Sequence, residues 1–225
     1  MTARPLAVLP PAPSRWSSAA RRLYAAVRRR RPLSSAALVV HAVTLALLLG
    51  LGSAYWVVSG DYPFGKMRAG AWQAAPRVGS REVDPYARAV LARNAEIPLA
   101  SGEGLTLTTT EDDAGRPLDA GCAYRIGRAA PQTRYWTLTL YDAEGHPVSS
   151  ELQRSGFTSA EVLRDVDGGF SVVISREPMP GNWLRAPETG RLGLALRLYD
   201  TPVATGAATL DPRTFPAIER LDCRP

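Results

Sequence analysis

Histidine and cysteine are scarce in this sequence, with two of each among 225 residues. A zinc site draws its ligands largely from these two residue types, and a Ser-His-Asp hydrolase needs a histidine to shuttle the proton. One histidine, His41, lies in an uncharged apolar run, and the other, His146, lies in the turn Glu144-Gly145-His146-Pro147. The sequence therefore predicts no zinc site and no self-contained catalytic triad, and we expect no cofactor.

Acidic residues are absent from the start of the chain, where Asp61 is the first of them. The first 31 residues hold eight arginines, which exceed the whole net charge of +6, so the rest of the chain is slightly acidic. A nucleic-acid-binding domain needs a basic patch of its own. We therefore expect no nucleic-acid partner.

Charged residues are also missing from positions 36–58, which are mostly apolar. At about 1.5 Å per residue, such a run spans the roughly 30 Å hydrocarbon core of a bilayer as a helix. Arg28 to Arg31 precede the run, so the positive-inside rule places the N-terminus in the cytoplasm and the later residues outside it. Tyr55, Trp56, Tyr62 and Phe64 fit an aromatic belt at the outer interface.

These features divide the chain into a basic cytoplasmic tail at 1–31, a transmembrane helix at 32–58, a connector at 59–83 and a folded domain at 84–225. Two alternatives stay open. The small residues Gly52-Ser53-Ala54 resemble a signal-peptide cleavage site. Residues 14–31 have helical apolar spacing among arginines, which suits either a helix on anionic lipid or a solvated tail.

Cys122 and Cys223 are the only cysteines, and both follow the apolar run. An even number of cysteines in an exported domain predicts a disulfide. The bond would join the end of the chain to an early strand.

The exported region begins with a short helix and continues as strands. Asp84 is the expected N-cap and Pro85 the first helical residue, with Tyr86, Val90, Leu91 and Ile97 as its apolar stripe and its end before Pro98. Strands are expected at 105–110, 122–127, 134–142, 169–176 and 191–200, with one helical turn within 158–165.

Alternation along two of these strands indicates which residues face the core. Leu192, Leu194, Leu196 and Leu198 share one face of their strand, and Trp136, Leu138 and Leu140 share one face of theirs. The opposite faces carry threonine, tyrosine and arginine. The pattern predicts an all-β fold, an antiparallel β-sandwich with one short helix, preceded by a single N-terminal transmembrane helix.

Four segments resemble a bacterial family, the domain-of-unknown-function family 1214. They are DPYARA at 84–89, YWTLTLYD at 135–142, NWLRAP at 182–187 and LRLY at 196–199. The resemblance covers roughly residues 60–225 and implies a jelly-roll-like sandwich, with a companion protein of family 1254 as a partner. It brings no catalytic residues. We expect a single-pass protein of the bacterial inner membrane, in contact with its lipid bilayer, whose C-terminal domain is periplasmic.

The candidate binding surface combines the outward strand residues Tyr141, Arg197 and Tyr199 with the loop residues Asn182 and Trp183. Aromatic rings beside an arginine suit a sugar ring or an anionic group. The alternative for these residues is a second packed layer. Asp112 with Asp113, Asp142 with Glu144, and Asp165 with Asp167 resemble calcium ligands, but each pair borders a glycine, as turn residues do.

Two functions follow from the sequence. The first is a non-enzymatic envelope module that binds a partner protein, a glycan or a lipid. The second is a hydrolase, or a subunit of one, whose active site is completed by a companion chain. Because no base accompanies any candidate nucleophile, the sequence favours the first.

Overall fold

The computed structural model of the chain describes residues 34–60, 65–127, 132–148, 154–202 and 211–223. It divides the chain into two compact units, residues 1–56 and 57–225. The predicted basic tail and two residues of the expected aromatic belt, Tyr62 and Phe64, lie outside the described residues.

Helix α1 covers Ser35–Ser59, and the hydropathy of its most apolar 18 residues averages 2.1. Ser34 begins the helix, because its Oγ accepts a hydrogen bond from the Ala37 backbone N–H at 3.2 Å. Its 25 residues correspond to a length of roughly 37 Å at the usual helical rise. Helix α1 is therefore long and apolar enough to cross a membrane, as an anchor or as a signal sequence.

The second unit contains, within its described residues, ten strands in two sheets. The strands are β1 (Met67–Ala69), β2 (Trp72–Ala74), β3 (Gly104–Thr109), β4 (Cys122–Gly127), β5 (Tyr135–Tyr141), β6 (Gly156–Thr158), β7 (Ser171–Ser175), β8 (Asn182–Arg185), β9 (Gly193–Tyr199) and β10 (Ala217–Cys223). One sheet has the order β1-β2-β3-β9-β5-β6 and the other β10-β4-β7-β8. Helix α2 (Pro85–Arg93) and a 3₁₀ turn (Pro212–Thr214) complete the unit.

The five predicted strands are present as β3, β4, β5, β7 and β9, each ending within two residues of the expected position. The expectation of a purely antiparallel arrangement is wrong at one pair, because β7 and β8 are parallel. Residues 176–181 connect them and contain Pro178 and Pro180. A six-residue extended connection reaches about 20 Å, which suffices to return along a five-residue strand.

Residues 59–83, expected to be a connector, contain strands β1 and β2. Strand β2 pairs with β3 and so joins the six-stranded sheet. Trp72 is 1% exposed, and its indole N–H donates to the Pro216 carbonyl at 2.7 Å. The folded region therefore begins well before residue 84.

Helix α2 begins as predicted and ends earlier. The Asp84 carboxylate accepts from the backbone N–H of Tyr86 at 2.8 Å and of Ala87 at 3.4 Å. The helix ends at Arg93, and Ile97, expected on the apolar stripe, is 94% exposed. Ala87 and Val90 are the buried residues of this helix.

The core consists of the residues that the alternation predicts, joined by residues of the second sheet. Leu196, Leu198 and Leu138 are each 0% exposed. The Trp136 ring stacks on the Phe170 ring, with centroids 4.5 Å apart. Ile126, Ile174 and Leu184 of the four-stranded sheet belong to the same cluster of buried residues. One interior therefore supports both sheets, and the alternate residues of β5 and β9 face away from it.

Candidate functional site

Tyr141, Arg197 and Tyr199 lie together on the outward face of strands β3, β9, β5 and β6 of the six-stranded sheet, which we call the threonine face. Strand β9 pairs with β3 on one side and β5 on the other, so Arg197 lies between Thr106 and Thr137. The residues of the face are half-buried or exposed, apart from buried Gly104 and Ala195. They are Thr106 and Thr108 of β3, Tyr135, Thr137, Thr139 and Tyr141 of β5, Gly156 and Thr158 of β6, and Gly193, Arg197 and Tyr199 of β9.

Arg197 extends along its own strand towards Tyr141. Its Nη2 donates a hydrogen bond to the Tyr141 hydroxyl at 3.0 Å, and its guanidinium carbon lies 6.0 Å from the centre of the Tyr141 ring. Both side chains are half-buried. Arg197 is therefore oriented by Tyr141 and remains partly accessible to solvent.

Tyr199 forms a ring pair with Tyr135 on the neighbouring strand. The two centroids are 5.8 Å apart and the ring planes are inclined by 50°. Tyr135 is 37% exposed. The alternation along its strand placed Tyr135 on the outward face. The register of β5 against β9 is what shows that it lies beside Tyr199.

Asn182 lies inside the fold, although the sequence placed it on the candidate surface. It is 6% exposed, and its amide oxygen accepts from the Leu163 N–H at 2.7 Å. Its amide nitrogen donates to the carbonyls of Leu163 at 2.8 Å and Ser171 at 2.9 Å. Asn182 therefore fixes the loop before β7 and is not available to a ligand.

Trp183 lies on the four-stranded sheet, so the structure does not group it with Arg197. Its indole N–H donates to the Ser175 carbonyl at 3.1 Å and to the Ser175 hydroxyl at 2.9 Å. It pairs with Val173 across the parallel strands and is half-buried. Its polar atom is satisfied within the sheet.

The two cysteine sulfurs lie 1.98 Å apart, at bonding distance. The bond joins residues 101 positions apart and connects β4 to β10, which are paired along their length. It therefore holds the last strand of the described chain on the edge of the four-stranded sheet.

The acidic pairs form turns. Asp142 accepts from the backbone N–H groups of Glu144 at 3.0 Å and His146 at 2.8 Å, and Asp167 accepts from that of Gly169 at 3.0 Å. Within the described ranges, no three histidine, cysteine or acidic residues are grouped as metal ligands. These contacts favour the interpretation of the pairs as turn residues.

Asp112 is the centre of a buried ionic cluster that the sequence did not indicate. Its carboxylate is 1% exposed and accepts from the Arg116 backbone N–H at 2.9 Å and the Arg116 Nε at 2.9 Å. The Arg220 Nε lies 3.2 Å away, and the Arg220 guanidinium carbon lies 5.4 Å from the centre of the Tyr124 ring.

The pKa of Asp112 is lowered by this cluster. Burial alone would raise the pKa, but hydrogen bonds from the Arg116 backbone and guanidinium, the positive charge of Arg116, and a hydrogen bond from the Ala114 backbone together outweigh it. Neighbouring Asp113 accepts from the Ile218 N–H at 2.8 Å. The cluster thus attaches the turn after β3 to strand β10 and has a structural role.

His146 has no surroundings suited to catalysis. Its side chain is 77% exposed, and its Nδ1 lies 3.8 Å from Asp142 Oδ2. Within the described part of the chain, this exposed imidazole is accompanied by one carboxylate, and neither a nucleophile nor an enclosed site, both of which acyl transfer requires, lies beside it. His146 is therefore best described as a turn residue.

Solved structures that resemble the chain include those of two bacterial proteins. The crystal structure of the VPA0106 protein from Vibrio parahaemolyticus matches with a TM-score of 0.56 and 16% identity, over 86% of this chain and 47% of that one. A putative uncharacterized protein from Burkholderia cenocepacia matches with a TM-score of 0.39 and 17% identity, over 91% of this chain and 48% of that one. The chain spans about half the length of each. At such identities the first likeness supports the fold alone.

No curated protein sequence matches the chain. The family model described as "Protein of unknown function (DUF1214)" matches residues 103–203. This segment contains strands β3 to β9, and therefore all five residues predicted for the candidate surface. The match confirms the resemblance carried by the YWTLTLYD, NWLRAP and LRLY segments and identifies residues 103–203 as a DUF1214 domain.

Proposed function

We propose that this chain is a membrane-anchored protein of the bacterial cell envelope that binds a partner through the threonine face and catalyses no reaction of its own. The partner is a protein, a glycan or a lipid of the envelope. The observation that carries the proposal is Arg197, a half-buried arginine in the middle of a sheet, held by the Tyr141 hydroxyl at 3.0 Å.

The proposed location rests on the charges around α1 and on the disulfide. Eight arginines and no acidic residue occur in the first 31 positions, which favours a cytoplasmic N-terminus. Cys122 and Cys223 are bonded, and disulfides persist in oxidising compartments such as the bacterial periplasm. We therefore propose α1 as an inner-membrane anchor in contact with the bilayer and residues 59–225 as periplasmic.

The proposed architecture of the periplasmic unit is a jelly-roll-like sandwich. Its support is the common core, in which residues of both sheets form one buried cluster, and the stacking of Trp136 on Phe170. In such an arrangement each sheet has one buried face and one outward face. The threonine face would then be presented to the periplasm.

The family resemblance adds a candidate partner, a companion protein of family 1254. Tyrosine and arginine are the residues most often found at the energetic centre of protein interfaces. The threonine face offers Tyr135, Tyr141, Arg197 and Tyr199 on two adjacent strands. Such a companion is therefore one of the partners that the experiment below would identify.

The orientation can be tested with reporter fusions. A reporter that is active only in the periplasm should be active when fused after Pro225, because the arginines before α1 retain the N-terminus in the cytoplasm. The same reporter fused before Arg28 should be inactive. The opposite result, activity only in the N-terminal fusion, would place the folded unit in the cytoplasm and contradict the proposed location.

The binding face can be tested by site-specific photo-crosslinking in cells. A photo-crosslinking amino acid in place of Thr108, which is exposed on the threonine face, should give a defined adduct. The same amino acid in place of Arg125, exposed on the other sheet, should give none. Mass spectrometry of the adduct distinguishes a protein from a glycan or lipid.

The specificity of this result is checked with Arg197→Ala and Tyr199→Ala. Both should lower the yield of the Thr108 adduct severalfold and leave the melting temperature within a few degrees, because half-buried residues of a face contribute more to binding than to the core. Equal adducts from the two crosslinking positions, or an unchanged yield in both variants, would contradict a binding role for this face.

A further inference from the structure

Strands β3, β9, β5 and β6 contain a single charged residue, Arg197. Their outward positions are otherwise threonine, tyrosine, glycine and alanine. At the edges of this face Glu111 pairs with Arg68 and Glu161 with Arg154. Arg197 has no ion-pair partner among the described residues, and such a charge attracts an anionic group. The charge of the threonine face therefore favours an acidic ligand over a basic one.

The guanidinium of Arg197 has donors to spare. An arginine carries five N–H donors, and the described residues provide Arg197 with one acceptor, the Tyr141 hydroxyl. No carboxylate within the described part of the chain forms an ion pair with it. In contrast, Arg125 pairs with Glu219 at 3.5 Å and Arg220 with Asp112 at 3.2 Å. Arg197 is thus preoriented by a neutral group and retains its capacity for a bidentate acid.

Threonines flank Arg197 and Ala195 in two rows of the face. Thr106, Thr137 and Thr158 lie in register with Arg197 across four strands. Thr108 and Thr139 flank Ala195 in the next row. Neighbouring strands are about 4.8 Å apart, so the hydroxyls form a regular array. None of these five hydroxyls has a hydrogen-bond partner within the described residues.

Small residues lie in and beside the second row, and aromatic rings lie at both ends of the face. Ala195 is 4% exposed, and Gly193 and Gly156 also lie at outward positions. Tyr135 and Tyr199 form the ring pair at one end, and Tyr141 lies at the other. Hydroxyls that lie between aromatic rings suit a chain of sugar rings.

We infer that the threonine face binds a carboxylate-bearing polysaccharide, with Arg197 as the partner of a sugar carboxylate and the threonine hydroxyls as partners of sugar hydroxyls. This inference deepens the proposed function and rests on it. A lipid is disfavoured, because the outward positions of these four strands include no leucine, isoleucine, valine or phenylalanine. Such side chains are what a bilayer surface would bind.

The test uses the full chain in detergent and measures binding to oligogalacturonate by calorimetry. Its fully methyl-esterified form has the same backbone without the charges. Oligogalacturonate should bind saturably, and the ester should bind at least about tenfold more weakly, because a charge-assisted bidentate bond is lost. This comparison needs no variant, so a folding defect cannot obscure it. Equal affinity for the acid and the ester, or no saturable binding of the acid, would overturn the inference.

Variants identify the residue responsible. Arg197→Met should weaken oligogalacturonate binding by about tenfold or more, and Arg197→Lys should retain part of the affinity, because it keeps the charge and loses the planar fork. Tyr141→Phe should weaken it by about threefold, because the hydroxyl that orients Arg197 is lost. The matched control is Arg125→Met on the other sheet, which should bind like the unaltered chain. Equal weakening by Arg125→Met would show general charge attraction and overturn the site.

Other outcomes separate this inference from the proposed function. Binding to phosphatidylglycerol vesicles that depends on Arg197, with no binding to oligogalacturonate, would overturn the carbohydrate and identify a lipid. A protein adduct at Thr108 without binding to oligogalacturonate would overturn the carbohydrate and identify a protein as the ligand. In both cases the threonine face would still bind a ligand. The proposed function would stand, and the inference of a polysaccharide would be wrong. If crosslinking at Thr108 gave no adduct of any kind, the proposed binding function itself would be contradicted.

Discussion

Trp136→Ala is expected to lower the free energy of unfolding by about 3 to 5 kcal/mol, the usual cost of removing a large core aromatic. The Trp136 side chain is 2% exposed and stacks on Phe170 at 4.5 Å. It lies opposite Leu198 of β9, which is itself fully buried. Its loss would leave a cavity among residues of both sheets, which the rigid strands cannot close.

Urea denaturation of the full chain in detergent, followed by tyrosine and tryptophan fluorescence, measures this change. Tyr135→Ala is the matched control, because Tyr135 precedes Trp136 on the same strand and is 37% exposed on the opposite face. We expect it to cost under about 1 kcal/mol, as surface substitutions usually do. A Trp136 variant no less stable than the Tyr135 variant would show that β5 does not bury the face that its alternation indicates.

The five strands that the sequence predicted have five to seven residues. Strand β10 also has seven residues but was not predicted, because its sequence AIERLDC does not alternate between apolar and polar residues. Strands β5 and β9 each have seven residues, and alternation over that length distinguishes two faces. Strands β1, β2 and β6 have three residues each, and three residues show no period. Their positions depend on pairing with distant strands, as Gln73 does with Thr108. Such pairing is a tertiary effect that local sequence does not contain.

Alternation along the longer strands also predicted the positions of three of the five candidate surface residues. Arg197, Tyr199 and Tyr141 follow from alternation, which fixes the face of a residue on a strand. Asn182 and Trp183 came from a sequence motif, and a motif does not distinguish a buried amide from an exposed one. The three hydrogen bonds of Asn182 to Leu163 and Ser171 involve residues 11 and 19 positions away, so only the fold reveals them.

The ionic cluster around Asp112 is a second feature that the sequence pattern did not predict. Asp112, Asp113 and Gly115 have the composition of a turn, and they do form one, since the Gly115 N–H donates to the Asp112 carbonyl at 2.9 Å. Nothing local indicates that Arg220, 108 positions later by number, approaches the same carboxylate at 3.2 Å. Pairing of β10 with β4 brings it there.

Asp112→Asn is expected to lower the free energy of unfolding by about 3 to 5 kcal/mol at neutral pH, the usual cost of breaking a buried ion pair. The neutral amide would leave Arg116 and Arg220 without their shared counterion. It would also place an N–H donor near guanidinium donors, where an acceptor is needed. The Arg220 side chain is 18% exposed, so water can solvate it only in part.

The same carboxylate makes part of the stability dependent on pH. Because the pKa of Asp112 is lower in the folded chain than its usual value, its contribution is complete above the unfolded pKa of about 4. The contribution is lost as the pH falls below about 4 and through the lower folded pKa, because the unfolded chain then takes up the proton first. The difference in stability between the unaltered chain and Asp112→Asn should therefore be constant near neutrality and shrink in acid.

Denaturation curves of both chains from pH 7 down to pH 3 measure this difference. Asp167→Asn is the control, because Asp167 is exposed and accepts one backbone N–H in its turn, which an asparagine oxygen can also accept. The control should stay within about 0.5 kcal/mol of the unaltered chain at neutral pH. If Asp112→Asn were as stable as this control, or if its deficit did not shrink in acid, the Asp112 carboxylate would not be the charged centre that holds β10 in place.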